Sequence, residues 1–185
     1  MDAYRERPAV IVFGGVHPTF RPEEALVHGD YVFRGEADMA FVPFLDALNE
    51  GGDGDMDGIP GLSRRDGKEV VHNEQAQTRV EMDSLPTPDW SLYEPFHSHI
   101  GGVMTSRGCP YNCSFCSVTA MFGRNYRMRS IEKVIEDLKA AQVRHVFFYD
   151  DHFLAKPKRT EQLLRRMIEE RGKSIRVREF SAQVR

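Results

Sequence analysis

All three cysteines of the chain fall within eight residues, in the order Cys109-Pro-Tyr-Asn-Cys113-Ser-Phe-Cys116. No cysteine remains elsewhere to pair with them, so they make one site rather than a disulfide framework. Thiolates separated by three and then two residues can wrap one metal centre, and iron-sulfur clusters take cysteine ligands in short runs of this kind. A cubane cluster holds four irons. Three cysteines would leave one iron without a protein thiolate, which suits a catalytic centre open to a small molecule better than a store of electrons. The alternative is a zinc site completed by a histidine such as His97 or His99, because structural zinc takes four ligands.

Composition narrows the setting. A chain of 185 residues allows one or two domains, and 41% hydrophobic residues is ordinary for a protein with a buried core. A formal charge of -3 and a pI near 6.2 show no basic excess of the kind that holds phosphate backbones or anionic bilayers. Neither nucleic acid nor a membrane is therefore an expected partner. No apolar run approaches the roughly 20 residues that span a bilayer, and the start, MDAYRERPAV, lacks the apolar core of a signal peptide. The expected location is the cytoplasm, where thiols stay reduced and serve as ligands or nucleophiles.

The segments after the cysteines alternate strand and helix. A short strand is predicted around Val103-Met104-Thr105, and Ser130 is a good N-cap, with Glu132 placed to complement the helix dipole. Ile131, Val134, Ile135 and Leu138 share one helical face. His145-Val146-Phe147-Phe148-Tyr149 reads as a strand covered on both faces. Pro157 can open the next helix, with Leu163, Leu164, Met167 and Ile168 as its buried stripe. Arg178 to Val184 reads as a third strand. The cysteine loop and Asp150-Asp151 both follow strands, at the end where parallel barrels place their chemistry. The aspartates suit a cationic amino group beside the cluster; alternatively, they cap a loop or the following helix.

Near the start, Ala9-Val10-Ile11-Val12-Phe13 is a buried-strand pattern running into Gly14-Gly15. Glycines there allow close approach of a ligand, although a plain turn has the same appearance. A turn and short helix follow from His17 to Leu26, then a strand, Tyr31-Val32-Phe33, and a helical stretch from Met39 to Leu48 that Pro43 should kink or shorten. This order implies a doubly wound sheet. The polar stretch from Gly51 to Gly58 marks a boundary in composition. Ile59 to Ser63 and Glu69 to His72 flank a turn and predict a small hairpin. Asp83 to Asp89, with prolines at 86 and 88, reads as an extended connector that Trp90 and Phe96 pack against the following domain.

The stretch TSRGCPYNCSFCSVTAMFGRNYRMRS resembles the C-x3-C-x2-C segment of radical S-adenosylmethionine (radical SAM) enzymes, including the aromatic Phe115 before the last cysteine. Likewise GGVHPTFRPEEAL followed by YVFRGEAD is similar to the end of the cobalamin-binding domain that precedes the radical SAM domain in one large group of these enzymes. The resemblance implies an α/β fold: the end of a doubly wound, Rossmann-like cobalamin-binding domain over 1–50, a linker with a hairpin over 51–88, and the first part of a (β/α) radical SAM barrel over 89–185.

By the same resemblance, Cys109, Cys113 and Cys116 would hold a 4Fe-4S cluster whose open iron chelates S-adenosylmethionine. Phe115 would flank its adenine, and Asp150 or Asp151 would receive the amine of its methionine moiety. Gly14 and Gly15 would line the nucleotide tail of cobalamin. Such enzymes commonly carry Gly-Gly-Glu after the second strand, whereas Tyr149-Asp150-Asp151-His152-Phe153 resembles the Asp-Asp-x-Phe version of the cobalamin-linked branch. His17 is read as a loop histidine, because the Asp-x-His-x-x-Gly motif that carries the cobalt ligand is not in this chain.

The implied activity is reductive cleavage of S-adenosylmethionine to a 5'-deoxyadenosyl radical, used for cobalamin-dependent methyl transfer to a small-molecule substrate. The implied reductant is flavodoxin or ferredoxin. A cyclase-like reaction without methyl transfer and a non-catalytic zinc or iron-sulfur module are the alternatives. About 100 residues follow Pro86, fewer than a barrel of this kind needs, so the resemblance also implies a fragment of a longer protein.

Overall fold

Val32 and Phe33 are both buried but belong to different core clusters, and the first half of the molecule is built around them. In the computed structural model, which describes residues 9–49, 55–76, 79–92 and 100–184, the chain divides into two compact units between Val80 and Glu81. In the first, β1 (Val12–Phe13) pairs in parallel with β2 (Tyr31–Phe33) across α1 (Val16–Phe20) and α2 (Pro22–Ala25). Val32 packs with Ala25 and Leu26 beside α2, while Phe33 packs with Phe44 and Ala47 of α3 (Phe41–Asn49). Helices thus cover both faces, as a doubly wound sheet requires. The aromatic rings of Tyr31 and Phe33 meet Phe44 edge-on at 5.0 and 5.2 Å. Pro43 is the third residue of α3, where its missing N–H has no intrahelical partner to lose, so the helix starts at Phe41 rather than Met39.

The predicted hairpin is present as β3 (Leu62–Asp66) and β4 (Glu69–His72), and β3 pairs antiparallel with β2. The sheet order is β1-β2-β3-β4, so the hairpin extends the sheet of the first unit. The run from Ala9 yields only a two-residue strand. Ile11 lies outside the ladder, its N–H donating to the Asp30 carboxylate at 2.8 Å.

In the second unit, β5 (Ile100–Val103), β8 (His145–Phe148) and β9 (Glu179–Ala182) form a parallel sheet in that order. Helices α5 (Ile131–Ala141) and α6 (Pro157–Glu170) make the crossovers, giving consecutive βα units. Val134, Ile135 and Leu138 of α5 pack with Leu163 and Met167 of α6 on Val103, Val146 and Phe148. Ser130 caps α5, its hydroxyl accepting from the Lys133 N–H at 3.3 Å. Strand β8 differs from expectation: Val146 and Phe148 are buried, but His145 and Phe147 on the other face are only half-buried.

Two sequence expectations are corrected here. The strand predicted at 103–105 lies at 100–103, because Gly101 and Gly102 are strand residues. A side chain at Gly101 would meet Val143 at 2.9 Å, so glycine is what lets these elements approach. Ile168 is 70% exposed and not part of the buried stripe of α6. That stripe centres on Thr160, Leu163 and Met167, with the Thr160 hydroxyl satisfied by the Phe153 carbonyl at 2.9 Å. The connector after Glu81 opens with a single 3-10 turn, Met82–Ser84, and Trp90 packs against the core of this unit. Phe96 lies outside the described residues.

Candidate functional site: a stapled cysteine loop

Strands β5 and β8 are in register at Val103 and Phe148, so the residues two places beyond, Thr105 and Asp150, emerge side by side at the carboxyl end of the sheet. Asp150 is fully buried. One oxygen of its carboxylate, Oδ1, accepts the N–H groups of Thr105 and Ser106 at 2.7 and 3.1 Å. The other, Oδ2, accepts their hydroxyls at 2.6 and 2.8 Å. These four bonds occupy both oxygens of the carboxyl group. From α6, Arg159 donates to the Thr105 carbonyl at 3.1 Å and to the Arg129 carbonyl at 2.5 Å. It therefore ties the entry of the loop to its exit.

Between these points the chain closes on itself. β6 (Ser106–Arg107) and β7 (Arg127–Met128) pair antiparallel and form the neck of the loop that carries the cysteines. Gly108 takes φ 86°, and a Cβ there would lie 2.4 Å from the Asn125 carbonyl oxygen, so no other residue passes this point without displacing the loop. Its N–H donates to Asp151 Oδ2 at 3.0 Å. Asp151 is half-buried, and burial raises its carboxyl above the ordinary range, partly opposed by the Gly108 bond. Within the loop, the Cys116 N–H donates to the Cys113 carbonyl at 3.1 Å, and the Thr119 hydroxyl holds the Tyr111 carbonyl at 2.8 Å. A short helix, α4 (Val118–Phe122), ends at Gly123.

Cys109, Cys113 and Cys116 are free thiols, each partly exposed. Phe115 between them is 91% exposed and belongs to no core. Among the described residues no three His, Cys, Asp or Glu side chains are grouped about a single ion position. His97 and His99, the ligands considered for zinc, lie outside the described residues. A four-iron cluster takes one thiolate per iron, so its ligands need not converge on one point. Three unpaired, accessible thiols on a tightly stapled loop fit that donor set.

The two aspartates, equivalent in the sequence, are not equivalent here. Asp150 has both oxygens filled by the loop, so it is a fastening for Thr105 and Ser106 and not an open receptor for an ammonium group. Asp151 binds the loop through one oxygen only among the described hydrogen bonds. His152 is 6% exposed, its ring centroid 5.4 Å from that of Tyr111. The Thr105–Ser106–Asp150–Arg159 clamp lies outside the site residues that the sequence predicts. Its one sequence signal is the placement of Thr105-Ser106 and Asp150 just past two adjacent parallel strands.

In the first unit, Gly14 and Gly15 follow β1 and have open space where a side chain would project. Gly15 has φ 93°. The Thr19 hydroxyl donates to the Gly15 carbonyl at 2.7 Å and accepts the Gly35 N–H at 3.0 Å, tying the loops that follow parallel β1 and β2. Ligands of open α/β sheets bind at such carboxyl-end loops. His17 is exposed, with Nε2 3.4 Å from the Glu24 carboxylate.

Comparison with known proteins agrees with this geometry. Residues 103–182 match the radical SAM superfamily model. An uncharacterised methyltransferase of Pyrococcus horikoshii is 37% identical over 174 residues, covering 86% of this chain and 37% of that protein. The anaerobic magnesium-protoporphyrin IX monomethyl ester cyclase of Cereibacter sphaeroides is 32% identical over 142 residues, covering 71% of this chain and 23% of the cyclase. The chain thus spans well under half the length of these relatives. The cobalamin-dependent S-adenosylmethionine radical enzyme OxsB, solved with aqua-cobalamin and S-adenosylmethionine bound, superposes with a TM-score of 0.69. The superposition covers 95% of this chain and 26% of OxsB at 23% identity, a likeness of fold. With a stapled C-x3-C-x2-C loop at the carboxyl ends of consecutive parallel strands and this match across them, the chain belongs to the radical SAM superfamily.

Proposed function

We propose that the chain is part of a cobalamin-dependent radical SAM methyltransferase acting on a small-molecule substrate. The observation that carries this reading is the stapled loop, which presents three free thiols beside an exposed Phe115 at the carboxyl end of β5 and β8. Cys109, Cys113 and Cys116 would hold three irons of a 4Fe-4S cluster and leave the fourth to the amino and carboxylate groups of S-adenosylmethionine. When bound and reduced, such a cluster supplies the electron that cleaves the sulfonium and yields the 5'-deoxyadenosyl radical. Asp151, with an oxygen outside the clamp, is the carboxylate to receive the methionine amine, and Phe115 would cover the adenine. Asp150 and Arg159 act through the loop as positioning residues. Gly14 and Gly15 would face the nucleotide tail of cobalamin, where nothing stands within 4 Å of their missing Cβ atoms. A reducing cytoplasm and a flavodoxin or ferredoxin donor go with this chemistry.

The test is anaerobic reconstitution with iron and sulfide, followed by electron paramagnetic resonance of the reduced protein with and without S-adenosylmethionine. The expected result is a cubane signal that shifts on adding S-adenosylmethionine and is lost in Cys113→Ala. Stoichiometric zinc with no iron signal, in protein of unchanged circular dichroism, would overturn it. The similarity to a cyclase supports a second reading, a reaction without methyl transfer. Transfer of a labelled methyl group from S-adenosylmethionine, dependent on added cobalamin, separates the two.

A further inference from the structure

The amino ends of β8 and β9 and the turn after α6 meet at the end of the sheet away from the cysteine loop. They enclose a cleft of about 630 Å³ whose lining includes Arg144, Arg171, Lys173, Arg176 and Arg178. All five are exposed, and none has a side-chain hydrogen bond or ion pair among the described residues. Neighbouring cations behave differently. Arg166 reaches Glu170 at 2.6 Å, Lys139 reaches the same carboxylate at 3.8 Å, and Arg165 reaches Glu161 at 2.7 Å. No acidic residue lines the cleft, although the whole chain has a net charge of -3.

Five unneutralised cations around one concavity repel one another, and a bound anion relieves that repulsion. Guanidinium forks match phosphate oxygens two at a time, and the cleft has the size of a small-ligand site. Its only apolar lining residue is Ile175, so it offers nothing to a greasy ligand. The rim is fixed. Gln142, the one non-glycine residue with positive φ among those described (49°), donates from its side chain to the Lys139 and Ser174 carbonyls at 2.6 and 3.2 Å. The N–H groups of residues 172 to 175 and of Arg178 are already bonded within the protein, so an anion would be held by side-chain charge alone.

We propose that this cleft binds a soluble oligophosphate anion, at a site separate from the cysteine loop and independent of the chemistry there. The test is calorimetric titration of the full chain with inorganic triphosphate. Saturable one-site binding is expected, weakening on the order of tenfold from low to physiological salt because exposed charges are screened. Arg144→Gln with Arg178→Gln should lower affinity by tenfold or more, while Arg165→Gln, on a paired arginine outside the cleft, should leave it unchanged. Should the first pair disturb the circular dichroism, Lys173→Gln with Arg176→Gln gives the same reading. Absence of saturable binding at low salt, or equal affinity in the cleft variants, would overturn the proposal. So would binding of a single-stranded RNA oligonucleotide more than tenfold tighter than triphosphate at matched salt, which would make the surface a nucleic-acid contact.

Discussion

Asp150 and Asp151 show how one residue of displacement along a strand end decides a side chain's role. Asp150 faces the buried side with Val146 and Phe148 and spends its carboxylate on four donors from Thr105 and Ser106. Asp151 turns the other way and keeps one bond to Gly108. Unpairing a buried donor costs about 1–3 kcal/mol. Asp150→Ala should therefore destabilise the second unit by about 3–5 kcal/mol in urea titration and reduce iron retained on reconstitution, whereas Asp151→Asn should cost under about 1 kcal/mol. Equal losses from the two would remove the clamp from the account. Gly108→Ala must push a methyl group against the Asn125 carbonyl at a backbone angle that favours glycine, and should cost about 2 kcal/mol. The cysteines were legible in the sequence because ligand chemistry is written in spacing. The clamp was not, because Thr105 and Asp150 are neighbours only through the register of β5 and β8.

At the scale of elements, α5 was legible to its cap, and the reason is local: Ser130, Glu132 and the apolar spacing all act within a few residues. What holds α5 to the preceding connector was not. Arg129 donates to the Met82 and Leu85 carbonyls at 3.1 and 3.2 Å and pairs with Asp137 at 3.3 Å, both side chains nearly buried. Burial raises the Asp137 carboxyl even though Thr87 and Arg129 oppose the shift. Asp137→Ala strands a buried guanidinium and should cost about 3–5 kcal/mol, while Arg129→Met with Asp137→Leu should recover most of it, as a double-mutant cycle in urea would show.

The end of α6 offers the opposite shift. The Ser174 hydroxyl, then Arg166, pull the Glu170 carboxyl down to about 2. A lowered carboxyl stabilises the fold above its unfolded value and loses that contribution as pH falls through the folded one. Glu170 should thus titrate near 2 by carboxyl NMR, and Ser174→Ala should move it up toward the ordinary glutamate range. The exposure of Ile168, which the apolar spacing predicts to be buried, has an equally physical cause. Hydrophobic spacing finds a stripe but not its centre, and here a hydrogen-bonded threonine occupies the core position.

Across the whole molecule, that exposed isoleucine belongs to a larger surface. Ile168, at 70% exposure, and Phe180, at 45%, line a mostly apolar groove with Leu164, Met167, Ile175 and Val177, which Arg171, Arg178 and Glu179 also line. Strand β9 beside it pairs only with β8 among the described strands, leaving ladder groups of its other edge outside any sheet. Apolar groove and open edge together favour self-association, since each copy can bury the same surface on another. Sedimentation of the 185-residue chain should accordingly show concentration-dependent oligomers. Ile168→Glu places a charge in the groove without touching the core stripe at Thr160, Leu163 and Met167. It should shift the population to monomer with unchanged far-ultraviolet circular dichroism. Oligomers that persist in Ile168→Glu, yet disperse when a proline is placed in β9, would assign association to the strand edge, because proline removes a ladder donor and glutamate does not.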